Sequence, residues 1–343
     1  MKNLPIDGER ISVKLKYQTE GRSYLKTSAV MRGEHDMKIE RNSVGSAELA
    51  YQIFGTGKVD VVIEMGLGAS MAEWRRIAER LAESHTILLY ERAGYGTSSV
   101  SRLERTPENI ATELYQLLKQ IEHTEKITIL AHSQGGLYAW KFAKMYPKMV
   151  GKLVLLDPLS PEDYRFRMEL TEEEFKKSGA DKTQGLQMNL RLTRKHLGWM
   201  VRMLMRKAPP FYYYNEFLKE ERKEILTMIS RPQTYETALK EYEAAHDMFH
   251  LMGFLDRKNA PKIRIILITH DSDIARKEIR EFGGASEEQA EKIEVLWQEL
   301  MHAYLDCVSD GEWIQAKHSS HYIHLTDMDL VCNILRKDVD MVI

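Results

Sequence analysis

The sequence predicts an α/β fold: a mostly parallel sheet with helices on both faces and a helical insertion. Two observations carry this. Apolar, β-type runs alternate with helix-periodic segments along most of the chain. One long stretch, residues 158–261, holds several helical patterns and no strand-like run of consequence. The core is then expected in two pieces, 37–157 and 262–343, with 158–261 as a helical insertion between them. Residues 1–36 alternate only weakly, as in Ile11-Ser12-Val13-Lys14-Leu15-Lys16-Tyr17. They fit an extra hairpin, a dimer arm or a flexible extension.

Each element has a local reason. Residues 38–57 read as two strands joined around Gly45, and Val61-Val62-Ile63 as a third. Ser70-Met71-Ala72-Glu73 is a capping-box pattern opening a helix with Trp74, Ile77 and Leu81 on one face. Thr106-Pro107 starts another, carrying Ile110, Leu114, Leu117, Leu118 and Ile121 at helical spacing. Lys126 to Leu130 is a strand, 152–156 the next, Lys262 to Thr269 a buried one and Glu312 to Lys317 the last. In the insertion, Leu170-Thr171-Glu172-Glu173-Glu174 is a further capping box, a Met-rich amphipathic stretch runs from Met188 to Met205, and Pro209-Pro210-Phe211-Tyr212-Tyr213-Tyr214 breaks it.

Composition narrows the function classes. The 343 residues are 43% hydrophobic and 29% charged, enough apolar material for a sizeable core. A net charge of -2 gives no basic field, so no nucleic-acid partner is expected. Cys307 and Cys332 do not make a disulfide framework. No apolar run approaches the roughly 18 to 20 residues of a membrane-spanning helix, and the polar N-terminus has no signal-peptide core. The expectation is a cytoplasmic protein.

The chemistry centres on Ala131-His132-Ser133-Gln134-Gly135-Gly136. A strand ends in a small residue, a serine sits at the apex of a turn, and a helix follows from Leu137. So tight a turn admits only small residues two positions either side of the serine, which Ala131 and Gly135 satisfy. A serine hydroxyl is a weak nucleophile until a base removes its proton, so the chain must supply a histidine, an acid and oxyanion donors.

The runs Val61-Val62-Ile63-Glu64-Met65-Gly66-Leu67-Gly68, Glu91-Arg92-Ala93-Gly94-Tyr95-Gly96-Thr97-Ser98, the serine turn, Thr269-His270-Asp271-Ser272-Asp273 and His318-Ser319-Ser320-His321-Tyr322-Ile323-His324 occur in that order. In this the chain resembles the α/β-hydrolase superfamily over residues 38 to 340. The resemblance implies an eight-stranded-type sheet with the lid inserted after strand six, above Ser133. It also implies Ser133 as nucleophile, His321 as base, and backbone N–H groups of Gln134 and Leu67 as the oxyanion hole. Asp273, a few residues past strand seven, is the implied acid; Asp271 and Asp157 are the alternatives. Met65 stands where histidine is frequent, and Glu64 fits either a loop-stabilising carboxylate or a half-exposed strand end. His318 and His324 rival His321. Their i, i+3, i+6 spacing superficially resembles metal ligation, but such ligands want a helix face and this segment follows a strand. His132 has no assigned chemistry.

The expected activity is hydrolysis of a carboxylic ester or thioester with an apolar small-molecule substrate, without cofactor or metal. Aspartate-nucleophile chemistry, the route of epoxide hydrolases in this superfamily, does not fit Ser133. An aminopeptidase or amidase, or a slow-turnover ligand-binding signalling protein, are the alternatives. The basic, apolar segment Leu190 to Lys207 either packs its Leu/Met face on the core, the favoured reading, or touches a membrane surface. Oligomeric partners are not legible.

Overall fold

The apolar runs become eight strands and the periodic segments fourteen α-helices in a computed structural model that describes residues 38–336. The expectation for residues 1–36 lies outside the described residues. The first half runs Glu40–Val44 (β1), Ala47–Phe54 (β2), Val61–Glu64 (β3), Met71–Leu81 (α1), Ile87–Tyr90 (β4), Pro107–Gln120 (α2), Ile127–His132 (β5), Gln134–Met145 (α3) and Val150–Leu156 (β6). The insertion follows as Arg165–Glu169 (α4), Glu172–Ser178 (α5), Thr183–Arg194 (α6), Gly198–Met205 (α7), Lys219–Met228 (α8), Pro232–Ala245 (α9) and Met248–Leu251 (α10). The chain then closes with Arg264–Thr269 (β7), Ser272–Gly283 (α11), Glu287–Asp306 (α12), Gly311–Gln315 (β8), Ile323–Thr326 (α13) and Met328–Arg336 (α14).

The sheet order is β1-β2-β4-β3-β5-β6-β7-β8. β2 runs antiparallel to both neighbours, and β3 to β8 are mutually parallel. Parallel strands covered on both faces read as continuous apolar runs, and successive side chains divide between the faces. Val62, Leu88, Ile129 and Leu155 join one core with Leu114 and Leu117 of α2, Trp140 of α3 and Tyr304 of α12. Ile63, Leu89, Leu130 and Val154 join the other with Trp74 and Ile77 of α1 and Val331 and Leu335 of α14. The capping boxes at Ser70 and Thr171 both form, and Thr106 caps α2 with Pro107 in its first turn.

The lid departs from expectation in one respect. The Met-rich stretch is two helices, α6 and α7, broken where His196 takes φ +59°. Its apolar side chains do not all pack inward: Met188, Trp199, Met203 and Leu204 are exposed, while Val201 is fully buried. The Leu/Met face expected to pack on the core is therefore split, because a helix of eight residues with Val201 inward presents Trp199 and Met203 on another side. The lid's own core is Phe211, Phe217, Ile225, Met228 and Ala238, set against Tyr95 and Leu325.

Candidate active site

Strand register brings the site together. Glu64 lies beside Ala131, His132 beside Leu156 and Leu156 beside Ile268, so β3, β5, β6 and β7 end level, each about 4.8 Å from the next. The residues just past those ends are therefore neighbours: the Met65-Gly66-Leu67 loop, Ser133, Asp157 and His270.

Ser133 has φ +54° and ψ −127°, a strained conformation for a residue with a side chain. The close packing expected of this turn is present. A Cβ on Gly135 would lie 2.3 Å from the carbonyl oxygen of Glu64, so α3 starts hard against the end of β3. Ser133 Oγ donates to His321 Nε2 at 3.1 Å. His321 Nδ1 in turn donates to a carboxylate at 2.7 Å, and that carboxylate is Asp157.

This corrects the expected acid. Asp273 lies in the first turn of α11 with its side chain 85% exposed and ion-paired to Arg276. Asp271 caps the same helix, accepting from the N–H groups of Asp273 and Ile274. Asp157 takes the place because the residue beginning the loop after β7 is His270, a base, whereas the loop after β6, on the adjoining strand, begins with a carboxylate. Asp157 also has a left-handed backbone, φ +47°, which is uncommon for a residue other than glycine.

Asp157 is fully buried and bonded on both oxygens. Oδ2 accepts from His321, and Oδ1 accepts from the backbone N–H of His270 at 3.0 Å and its Nδ1 at 2.7 Å. Burial alone would raise this carboxyl; the charge and hydrogen bond of His270, and then those of His321, outweigh burial and hold it far below the usual carboxylate range. His270 Nε2 faces Glu294 of α12, with both carboxylate oxygens within 3.1 Å. Burial opposes charge on His270, but Asp157 and Glu294 win and raise it well above an ordinary histidine. Neither His270 nor Glu294 stands out in the sequence as a site residue. The one signal was a histidine at the strand end where an acid was expected.

The other histidines separate cleanly. His318 is exposed. His324 is buried and stacked on Trp74 at 3.9 Å between ring centres, with no hydrogen-bond partner among the described residues. His132 Nε2 donates to the carbonyl of His321 at 2.9 Å, so this turn residue steadies the backbone of His321. Burial, reinforced by His321, lowers His132 to about 3.

The backbone N–H of Gln134 is the first of α3 and has no intrahelical acceptor; Gln134 and Leu67 both line the cavity that reaches Ser133 and His321. The Leu67 loop is held from behind. Glu64 is buried rather than half-exposed and pairs with Arg92 at 2.8 Å. Arg92 also donates to the carbonyls of Met65 and Gly66 and grips Glu241 of α9 through two nitrogens. One guanidinium thus ties α9 to the Met65-Gly66-Leu67 loop. Arg92 lay inside a motif read for its glycines, and its partners come from elements far away in sequence.

The cavity, about 670 Å³, is walled by Leu186, Met205, Ile225, Ile229 and Ala238 of the lid and floored by Ser133, His321 and Asp157. Among the described residues no helix is long and apolar enough to cross a membrane.

A family model for the alpha/beta hydrolase fold matches residues 61–271. The Caenorhabditis elegans abhydrolase domain-containing protein abhd-5.2 is 34% identical over 119 residues, covering 33% of this chain and 27% of that protein. Epoxide hydrolase 1 of the same organism is 26% identical over 107 residues, 31% of this chain and 26% of that one. The chain thus matches only about a quarter of the length of these relatives. Among solved structures, the epoxide hydrolase CorEH superposes with a TM-score of 0.64 at 17% identity over 88% of this chain and 97% of its own. A thermophilic esterase from Thermogutta terrifontis gives 0.61 at 17% identity over 88% and 99%. With its sheet order, its serine turn and a family match over more than half its length, this chain belongs to the alpha/beta hydrolase fold family.

Proposed function

We propose that this protein is a cofactor-independent serine hydrolase of carboxylic esters or thioesters whose substrate presents an apolar group to the lid. One observation carries the reading: Ser133, His321 and Asp157 form a continuous hydrogen-bonded line, 3.1 and 2.7 Å, at the floor of a largely apolar cavity. With Nδ1–H committed to Asp157, Nε2 offers its lone pair to the Ser133 proton. Ser133 Oγ attacks the carbonyl carbon while Nε2 takes that proton, and the new oxyanion meets the N–H groups of Gln134 and Leu67. Collapse expels the alcohol or thiol, which takes the proton from Nε2. Water then gives a proton to Nε2 and attacks the acyl carbon, and Ser133 leaves with its proton restored.

The acids lining the cavity are already engaged, which favours an ester over a peptide with a free amine. Glu73 closes the cap of α1, Asp163 pairs with His246, and Glu278 accepts from Tyr213 and Ser320. The unpaired state of Cys307 and Cys332 supports action in a reducing compartment such as the cytoplasm. The test is labelling with a fluorophosphonate, read by intact mass, beside hydrolysis of p-nitrophenyl esters of increasing chain length and of styrene oxide. One adduct on the wild type, none on Ser133→Ala, and ester turnover that vanishes with the serine are expected. Epoxide opening without ester turnover overturns the reading.

A further inference from the structure

The strand-end array continues one step past the line that the proposed function uses. His270 lies between two buried carboxylates, Asp157 at 2.7 Å and Glu294 at 3.0 Å. Each carboxylate also accepts an N–H from elsewhere: Asp157 from the His270 backbone, Glu294 from Gln298 at 2.8 Å. Both Glu294 oxygens lie within 3.1 Å of His270 Nε2 and one of them already accepts from Gln298, so both carboxylates act as acceptors toward the ring. An imidazole with an accepting carboxylate at each nitrogen must carry a proton on both. We propose that His270 is a positioning residue held as a permanent imidazolium, a cation behind the acid that fixes Asp157 Oδ1, leaves Oδ2 to His321 and moderates the negative field felt by His321. Glu294 keeps that cation in place. The proposal rests on the Ser133-His321-Asp157 reading.

The charged and titratable groups facing this array come from five directions: Asp157 after β6, Glu294 from α12, His321 after β8, His132 at the end of β5 and His324 from α13. His132 and His324 are lowered by burial, so His270 is the cation nearest Asp157 across the neutral range. The experiment has two readouts. Nitrogen-15 histidine NMR of the wild type should show one imidazole, absent from His270→Asn, with both nitrogens still protonated well above the pH at which an ordinary histidine gives up its proton. The second is the rate of fluorophosphonate labelling against pH, for the wild type and for His270→Asn/Glu294→Gln, which removes the cation together with the outer carboxylate that pairs with it. Loss of the cation should move the acid limb of that profile up by about one pH unit; a merely structural role would leave it in place. A limb that does not move, or a His270 that loses its proton near neutrality, overturns the proposal. A wild type that does not label at all defeats the hydrolase reading instead, while the NMR still decides the charge on His270.

A separate observation concerns the outer face of α6 and α7. From residue 182 to 215 the chain has seven cations, Lys182, Arg191, Arg194, Lys195, Arg202, Arg206 and Lys207, and no Asp or Glu, in a protein of net charge -2. Arg194 is engaged by Glu236 and Arg202 by Ser230. Trp199, Met203 and Leu204 are 61%, 56% and 51% exposed, and positions 199, 203 and 206 share a helical face. An apolar face carrying tryptophan among lysines and arginines is the composition of helices that lie in a lipid interface. We infer that α7 docks on an anionic lipid surface. Met205, on the same helix, lines the cavity, so docking sets one wall of the site against the source of an apolar substrate. Flotation of the full chain with vesicles of phosphatidylcholine, with or without phosphatidylglycerol, tests this. Binding to the anionic vesicles alone is expected, weakening with salt and falling at least about tenfold in Arg206→Glu/Lys207→Glu and in Trp199→Ala/Met203→Ala. No flotation, equal flotation with neutral vesicles, or self-association that these substitutions abolish overturns it.

Discussion

Asp157 and Asp273 are both aspartates just past a strand, yet one is buried under two histidines and the other is in water beside Arg276. Replacing Asp157 by Asn keeps the shape and removes the acceptor that fixes the His321 tautomer, so kcat/KM on a p-nitrophenyl ester should fall by about three to four orders of magnitude. Asp273→Asn should stay within about twofold, since an exposed ion pair contributes little. Equal losses in the two variants would mean that the geometry at Asp157 is not the working one. The contrast also marks what one residue's neighbourhood in sequence can say. Ser133, Gln134 and the Met65-Gly66-Leu67 loop were legible because their requirement is steric and local: small residues two positions from the serine and glycines beside the loop. The acid was not, because proximity to His321 is decided by strand order. His270 and Glu294 are 24 residues apart and meet only when α12 folds back over β7.

At the scale of elements, the site depends on α9 as much as on the sheet. Arg92 connects Glu241 of α9 to Glu64 of β3 and to the carbonyls of Met65 and Gly66, and every one of these side chains is buried. Breaking one partner of such a pair leaves the other charge buried, costing about 3–5 kcal/mol. Glu241→Gln should therefore lower stability by several kcal/mol in urea unfolding. Because the guanidinium keeps Glu64 and the two carbonyls but loses its charged anchor on α9, the loop carrying the Leu67 N–H is held less firmly, and kcat should fall more than KM rises. A variant whose KM alone changes would assign Glu241 to substrate binding and not to the loop. The helices themselves were readable from their caps and apolar spacing, as at Ser70, Thr106 and Thr171. Which lid side chains face outward was not, because Trp199 and Val201 are equally apolar and only tertiary packing distinguishes them.

For the whole molecule, pH acts through two sets of buried groups with opposite signs. His132 is lowered by burial and by His321 to about 3 from an ordinary 6.5, and His324 is lowered well below 6.5 by burial and by His132. Their folded values lie under the unfolded ones, so the stability they contribute is complete above pH 6.5 and is lost as pH falls. Glu73 and Glu91 are raised by burial from 4.5 to about 7, and Glu64 is raised for the same reason. Their folded values lie above the unfolded ones, so the folded state gains relative stability as pH falls from 7 to 4.5 and gains nothing further below. Between 6.5 and 4.5 the two sets oppose each other, and the urea midpoint should be nearly flat. Below 4.5 the two histidines still titrate against the fold, and Asp157, held down chiefly by His270 against its burial, joins them below 3.8. Stability should drop by roughly 3 kcal/mol per pH unit between 4.5 and 3.8, two protons at about 1.4 kcal/mol each, and more steeply below 3.8. A midpoint that declines steadily from pH 6.5 downward would mean that Glu73 and Glu91 are already ionised in the folded protein, and that the burial of the helix cap at Ser70 and of the turn at Thr97 is looser than the structure has it.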